Sequence, residues 1–170
     1  IPGWAEKGHI ICGDTKLELT REQAGSFQSV SVSGDHASVE LYLDMPSRYT
    51  VSHALVEENT CQVAVERGPL VYCIENPDSE LDTLDDLMLD PTETFHPVPM
   101  QIEGRDMMAL EGSALAVCHK EDYDPGALYQ TLSVRRLTPT KIRMIPYFAW
   151  DNRGYGEMKI WMPVALRQLP

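Results

Sequence analysis

Apolar residues at every second position, cut short by turn-forming residues, constrain this chain more than any other feature. In Ser38–Met45 the alternation puts Val39, Leu41, Leu43 and Met45 on one side and Ser38, Glu40, Tyr42 and Asp44 on the other. That is the pattern of a β-strand with one buried face. Pro46 ends the run, because proline cannot donate to a ladder, and Tyr49–His53 resumes it. Cys61–Val65 is a further run, and Leu70–Ile74 is apolar on both faces, as a central strand is. Leu115–Cys118, Leu128–Arg136, Lys141–Ile145 and Glu157–Met162 complete the candidates, the last with Met158, Ile160 and Met162 on one side.

Turn signals recur between these runs: Gly13-Asp14, Ser33-Gly34-Asp35, Asn76-Pro77-Asp78, Asp124-Pro125-Gly126 and Gly154-Tyr155-Gly156. Many short strands joined by tight turns predict an all-β, antiparallel sandwich or jelly roll. Only Ser79–Asp90 departs from this, with Leu81, Leu84, Leu87 and Met88 near helical spacing among five carboxylates. It is expected to form a short helix or a loop over a sheet end, its charges solvated. The opening Ile1-Pro2-Gly3-Trp4 reads as the end of a strand running into a turn. We therefore expect residues 1–170 to be a β-sandwich region of a longer chain, with 1–56 ending one sandwich and 57–170 forming a second β subdomain.

Composition narrows the partners. The 14 basic and 26 acidic residues leave a net charge of −12, which repels nucleic acid and anionic membrane surfaces. No apolar run approaches the roughly 20 residues that cross a bilayer as a helix, and the first residues do not read as a signal peptide. The compartment stays open between cytoplasm and periplasm. Cys12, Cys61, Cys73 and Cys118 form no CxxC pair, and Cys118-His119 would point to opposite faces of a strand, so no metal site is expected. No cofactor is expected within these residues.

Motifs for catalysis are equally scarce. The 26 carboxylates offer abundant pairs for glycoside hydrolysis and so single none out. Glu66 beside Arg67 is the most tempting, yet an ion pair or turn hydrogen bonds bracing the Gly68-Pro69 corner explain it better. No GxSxG, GxGxxG, Walker or HExxH pattern occurs, and His9, His36, His53, His96 and His119 are scattered. No catalytic residue is assigned. The one ligand-like loop is Trp150–Gly156, where Trp150 could stack on a sugar ring while Asn152 and Arg153 donate to hydroxyls. The same composition suits an interdomain contact, and that reading stands ahead of direct sugar binding.

Two segments carry a family resemblance: Val65–Cys73 (VERGPLVYC) and Ile145–Gly154 (IPYFAWDNRG). Ile1–Ala5, Leu43–Pro46 and Gly156–Pro163 add to it in the same order. The chain resembles the C-terminal β-region of the bacterial β-L-arabinofuranosidases, glycoside hydrolase family 127. The resemblance implies a missing N-terminal (α/α)6 barrel as partner, with a cysteine nucleophile and a zinc whose ligands lie outside this chain. It implies an inert accessory β-domain that supports the barrel or mediates homo-oligomerisation in an enzyme of plant-glycan breakdown. A free-standing glycan-binding or interaction module is the alternative.

Overall fold

The computed structural model describes residues 1–32, 34, 36–117, 126–131 and 137–165. Cys118, His119, the Asp124-Pro125 step, Ser33, Asp35 and residues 132–136 of one expected strand lie outside the described residues. The described chain is all-β, with 3-10 turns as its only helical elements. It divides into two compact units, Ile1–Pro46 with Arg67–Pro69, and Ser47–Glu66 with Leu70–Pro170.

The first unit is built on strands β1 (Lys7–Cys12), β2 (Thr15–Thr20) and β3 (Val39–Leu43), in the order β2-β1-β3 and antiparallel throughout. Gly13, with φ of 56°, and Asp14 make the tight turn between β1 and β2, where Cys12 stands opposite Thr15. After β2, Thr20 caps a 3-10 turn over Arg21–Gln23, its Oγ1 accepting from Glu22 N at 3.3 Å while Thr20 N donates to Gln23 Oε1 at 2.8 Å. The expectation of a buried face on β3 is corrected here: Val39 and Leu41 are 48% and 53% exposed. The alternation correctly marks a strand with one apolar face, but covering that face needs a second layer, and strand periodicity carries no information about one.

The second unit contains the remaining strands: β4 (Ser47–Thr50), β5 (Gln62–Arg67), β6 (Leu70–Glu75), β7 (Leu87–Met88), β8 (His96–Ile102), β9 (Arg105–Val117), β10 (Leu137–Pro146), β11 (Met158–Lys159) and β12 (Met162–Pro163). They form one sheet in the order β12-β5-β6-β10-β9-β7, with β4 on β5, β8 on β9 and β11 on β6. Strand β10 turns the corner: Leu137–Met144 pairs with β9, while Ile145 and Pro146 pair with Cys73 and Tyr72 of β6. By changing partners, β10 lets the sheet curl and enclose side chains as a sandwich does. Val63, Val65, Tyr72, Ile74, Leu84, Leu87, Leu89, Leu110, Ile142, Met144 and Met162 fill that core.

Leu70–Ile74 is the buried central strand its composition predicts, with Tyr72, Cys73 and Ile74 wholly inaccessible. Its faces serve separate clusters: Tyr72 and Ile74 face the main core, while Cys73 joins Ile102, Ile145 and Ala149. Ser79–Asp90 yields a 3-10 turn at Leu84–Asp86 followed by β7, with Leu84, Leu87 and Leu89 fully buried. Glu157–Met162 is two short strands instead of one, because β11 pairs with β6 whereas β12 pairs with β5. Leu128–Thr131 forms no strand, and Leu128 and Tyr129 are both 92% exposed.

Beside the Gly68-Pro69 corner the ion pair of Glu66 is made with a different arginine from its neighbour Arg67. Glu66 pairs with Arg48, and the buried Arg67 Nε has no hydrogen-bond partner. Packing also shapes the corner: Gly68 has φ of +56°, and a β-carbon on it would stand 2.7 Å from Met45 Sδ. The positive φ favours glycine there.

Candidate functional site

The loop that follows β10 begins with a 3-10 turn over Tyr147–Ala149 and runs to Glu157. Pro146 cannot extend the ladder, so the chain leaves the sheet there. Asp151 then takes φ of 62°, a conformation that aspartate tolerates better than most residues. Its N–H donates to Glu75 Oε1 at 2.8 Å, which ties the strained residue to the end of β6.

Arg153 is the pin of this loop. Its Nε donates to Glu75 Oε2 at 2.9 Å, and its Nη1 and Nη2 donate to Asp78 Oδ1 and Oδ2 at 2.7 and 2.6 Å. Nη2 also pairs with Glu75. Side-chain exposure is 16% for Arg153, 7% for Glu75 and 2% for Asp78, so this is a buried triad and not a surface pair. Hydrogen bonding to Asp78, joined by Glu75, holds the guanidinium above its ordinary pKa against the opposing effect of burial. The fork geometry of arginine matches two carboxylates at once, which lysine could not do.

Neighbouring bonds stiffen the same corner. Asn152 Nδ2 donates to the carbonyls of Ala149 and Trp150, each at 3.1 Å. Asn76 Oδ1 accepts from Glu157 N, and a β-carbon on Gly156 would stand 2.6 Å from that oxygen. The Glu157 carboxylate in turn accepts from Leu84 N at 2.6 Å and from Thr83 Oγ1 at 3.1 Å. Cys73 lies beneath, its thiol pushed up to about 12 by burial, with Glu75 and Asp78 adding to the shift. Such a thiol stays protonated and unreactive.

What this rigid frame presents outward is aromatic. Tyr147, Phe148, Trp150 and Tyr155 are 41%, 67%, 40% and 106% exposed. The Tyr147 and Trp150 rings are parallel within 2°, with centroids 6.3 Å apart. Of the three residues singled out in the sequence, Trp150 thus faces solvent, whereas Asn152 donates within the loop and Arg153 donates to Glu75 and Asp78. Sequence inspection missed Glu75 and Asp78. The Asn76-Pro77-Asp78 turn was visible, but its reciprocal capping with Glu75 and its pairing 75 residues downstream were not.

A second feature is a groove of about 700 Å³ over β8, β9 and β10. His96, Glu111 and Arg143 form one cross-strand row along it, with Arg143 Nε donating to Glu111 Oε1 at 2.8 Å. Gly112 in its floor is dictated by packing, since a β-carbon there would meet the Phe95 ring at 2.6 Å. Among the described residues no group of three or more His, Cys, Asp or Glu side chains could hold a metal ion.

Comparison with known proteins places this architecture. Residues 47–163 match the glycoside hydrolase family 127 C-terminal domain. The non-reducing end β-L-arabinofuranosidase of Bifidobacterium longum subsp. longum is 31% identical over 166 residues, covering 95% of this chain and 25% of the relative. A family 127 β-L-arabinofuranosidase from Geobacillus stearothermophilus T6 superposes with a TM-score of 0.84 at 28% identity, over 97% of this chain and 26% of that one. A further solved glycoside hydrolase gives a TM-score of 0.77 at 33% identity, over 98% of this chain and 27% of that one. The chain spans about a quarter of the length of the relatives it matches. Sequence and fold agree: this chain belongs to glycoside hydrolase family 127, of which it carries the C-terminal domain.

Proposed function

We propose that the chain is the accessory β-region of a glycoside hydrolase acting on β-L-arabinofuranosides of plant glycans, and that its task is to support an N-terminal catalytic barrel. The observation that carries this is the Arg153 triad. A sugar site needs free donors for ring hydroxyls, whereas Asn152 is engaged within the loop and all three guanidinium nitrogens of Arg153 are engaged by Glu75 and Asp78. A braced aromatic surface whose Asn152 and Arg153 donors are already taken suits contact with protein, where Tyr and Trp dominate the binding energy. The zinc and the nucleophile of such an enzyme would belong to the barrel, as would the acid/base carboxylate.

The test compares this chain with the complete polypeptide encoded around it. The complete polypeptide should hydrolyse an aryl β-L-arabinofuranoside and the chain alone should not; turnover by the chain alone overturns the reading. The parallel Tyr147 and Trp150 rings favour one other role, a glycan-binding module. Calorimetric titration of the chain with arabinosides decides it, since binding abolished by Trp150→Ala would establish that role.

A further inference from the structure

We propose that Arg67 is an unpaired anchor, its guanidinium held ready for a carboxylate that the remainder of the polypeptide supplies. The inference rests on the reading of the chain as one part of a longer polypeptide, since it spans about a quarter of the relatives it matches. Arg67 closes β5 and opens the corner that leads to β6. Among the described residues the partly buried arginines are Arg48, Arg67 and Arg153. Arg48 pairs with Glu66, and Arg153 pairs with Glu75 and Asp78. Arg67 has no acceptor of any kind among the described residues.

Its Nε is sealed from solvent without a hydrogen-bond partner, the sole side-chain nitrogen or oxygen so placed among the described residues. Neither Nη is sealed in that way, so the open end of the fork stays within reach of an incoming group. Arginine remains charged at any ordinary pH. A charge stripped of part of its hydration is costly until an acceptor replaces the lost water. The nearest carboxylate in sequence is spent, because Glu66 is committed to Arg48. Gly68 follows in the left-handed region, at φ of 56°, which sets the direction in which the chain leaves Arg67. A carboxylate fits best, because its two oxygens meet two guanidinium N–H groups in parallel, in bonds roughly twice as strong as neutral ones. Arg153 satisfies itself in this way inside the same chain.

The deciding measurement is the effect of Arg67→Met on the midpoint of thermal unfolding, in this chain and in the complete polypeptide. Methionine keeps much of the apolar stem and removes every N–H. In this chain the midpoint should hold or rise, because an unsatisfied donor is lost. In the complete polypeptide it should fall by about 2 °C or more, because the supplied carboxylate is left unpaired. Arg67→Lys should recover part of that loss and Arg67→Gln should not; the reverse order identifies a neutral acceptor and overturns the proposal. A similar loss in both proteins means that Arg67 acts within this chain, and no loss in either means that it has no acceptor. Each of those results also overturns it, as does a change in oligomeric state of the complete variant, which would put the acceptor on a second copy. Any of these in a complete polypeptide that hydrolyses the arabinofuranoside strikes the anchor and leaves the accessory role standing. The expected shift without hydrolysis does the opposite.

Discussion

The two units use the same strand alternation to different ends. In the larger unit, β10 pairs with β9 and then with β6, so apolar faces meet each other and Leu110, Ile142 and Met144 leave solvent almost entirely. In the smaller unit, Val39 and Leu41 hold the same kind of position on β3 and stay half exposed. Alternation defines a face; topology decides whether anything covers it. The larger unit also hides charge, in Glu75, Asp78 and Asp90, whereas the smaller keeps its ion pairs at the surface.

That contrast can be broken most forcefully at Arg153. Arg153→Ala leaves two buried carboxylates unpaired and should cost about 3–5 kcal/mol in chemical denaturation; a loss under about 1 kcal/mol would mean that the loop is not pinned by the triad. Next comes the smaller unit itself. Leu19→Ala should destabilise by about 2 kcal/mol or more, while Leu41→Ala in this chain should stay within about 0.5 kcal/mol. Equal costs would abolish the distinction between covered and open ends of the face.

Gly112→Ala presses a β-carbon onto Phe95 and should cost about 1–3 kcal/mol, measurable as a lower denaturation midpoint. A further effect is expected in alkali. Folded Cys73 keeps its proton to about 12, against an ordinary 9.0, and folded Tyr49 to about 12, against 10.0, both chiefly through burial. The unfolded chain releases those protons first. Stability is therefore complete below pH 9 and falls as pH rises toward 12, by at most about 1.4 kcal/mol per group per pH unit. At pH 8 the exposed Cys61 should accept a thiol reagent while Cys73 does not, and labelling of Cys73 in the native state would refute its burial. Smallest of all, Arg143→Ala removes a half-exposed pair with Glu111 and should cost less than about 1 kcal/mol, with that cost vanishing in high salt.

Much of the fold was legible in residue order, and the reason is local. Leu70–Ile74 is apolar at every position, which suits only a strand covered on both sides. Gly13-Asp14 and Asn76-Pro77-Asp78 turn the chain where such residues must. The candidate loop was legible only in outline. Trp150 was visible as an aromatic in a turn-rich segment, but Arg153 looked like a ligand donor because its acceptors, Glu75 and Asp78, arrive from another strand end. Likewise Glu66 pointed to its neighbour Arg67, whereas its partner is Arg48, 18 positions earlier.

The sequence by itself indicated several strands, among them β3, β5, β6 and β10, several turns and the acidic balance, and through ordered short segments it identified the family. These depend on side-chain periodicity and backbone preference, which act over a few residues. Tertiary structure alone decided that β10 bends between two partners, that Arg153 is an internal pin, and that Glu66 pairs with Arg48. Those outcomes depend on which distant segments meet, and two-residue alternation cannot encode a meeting place.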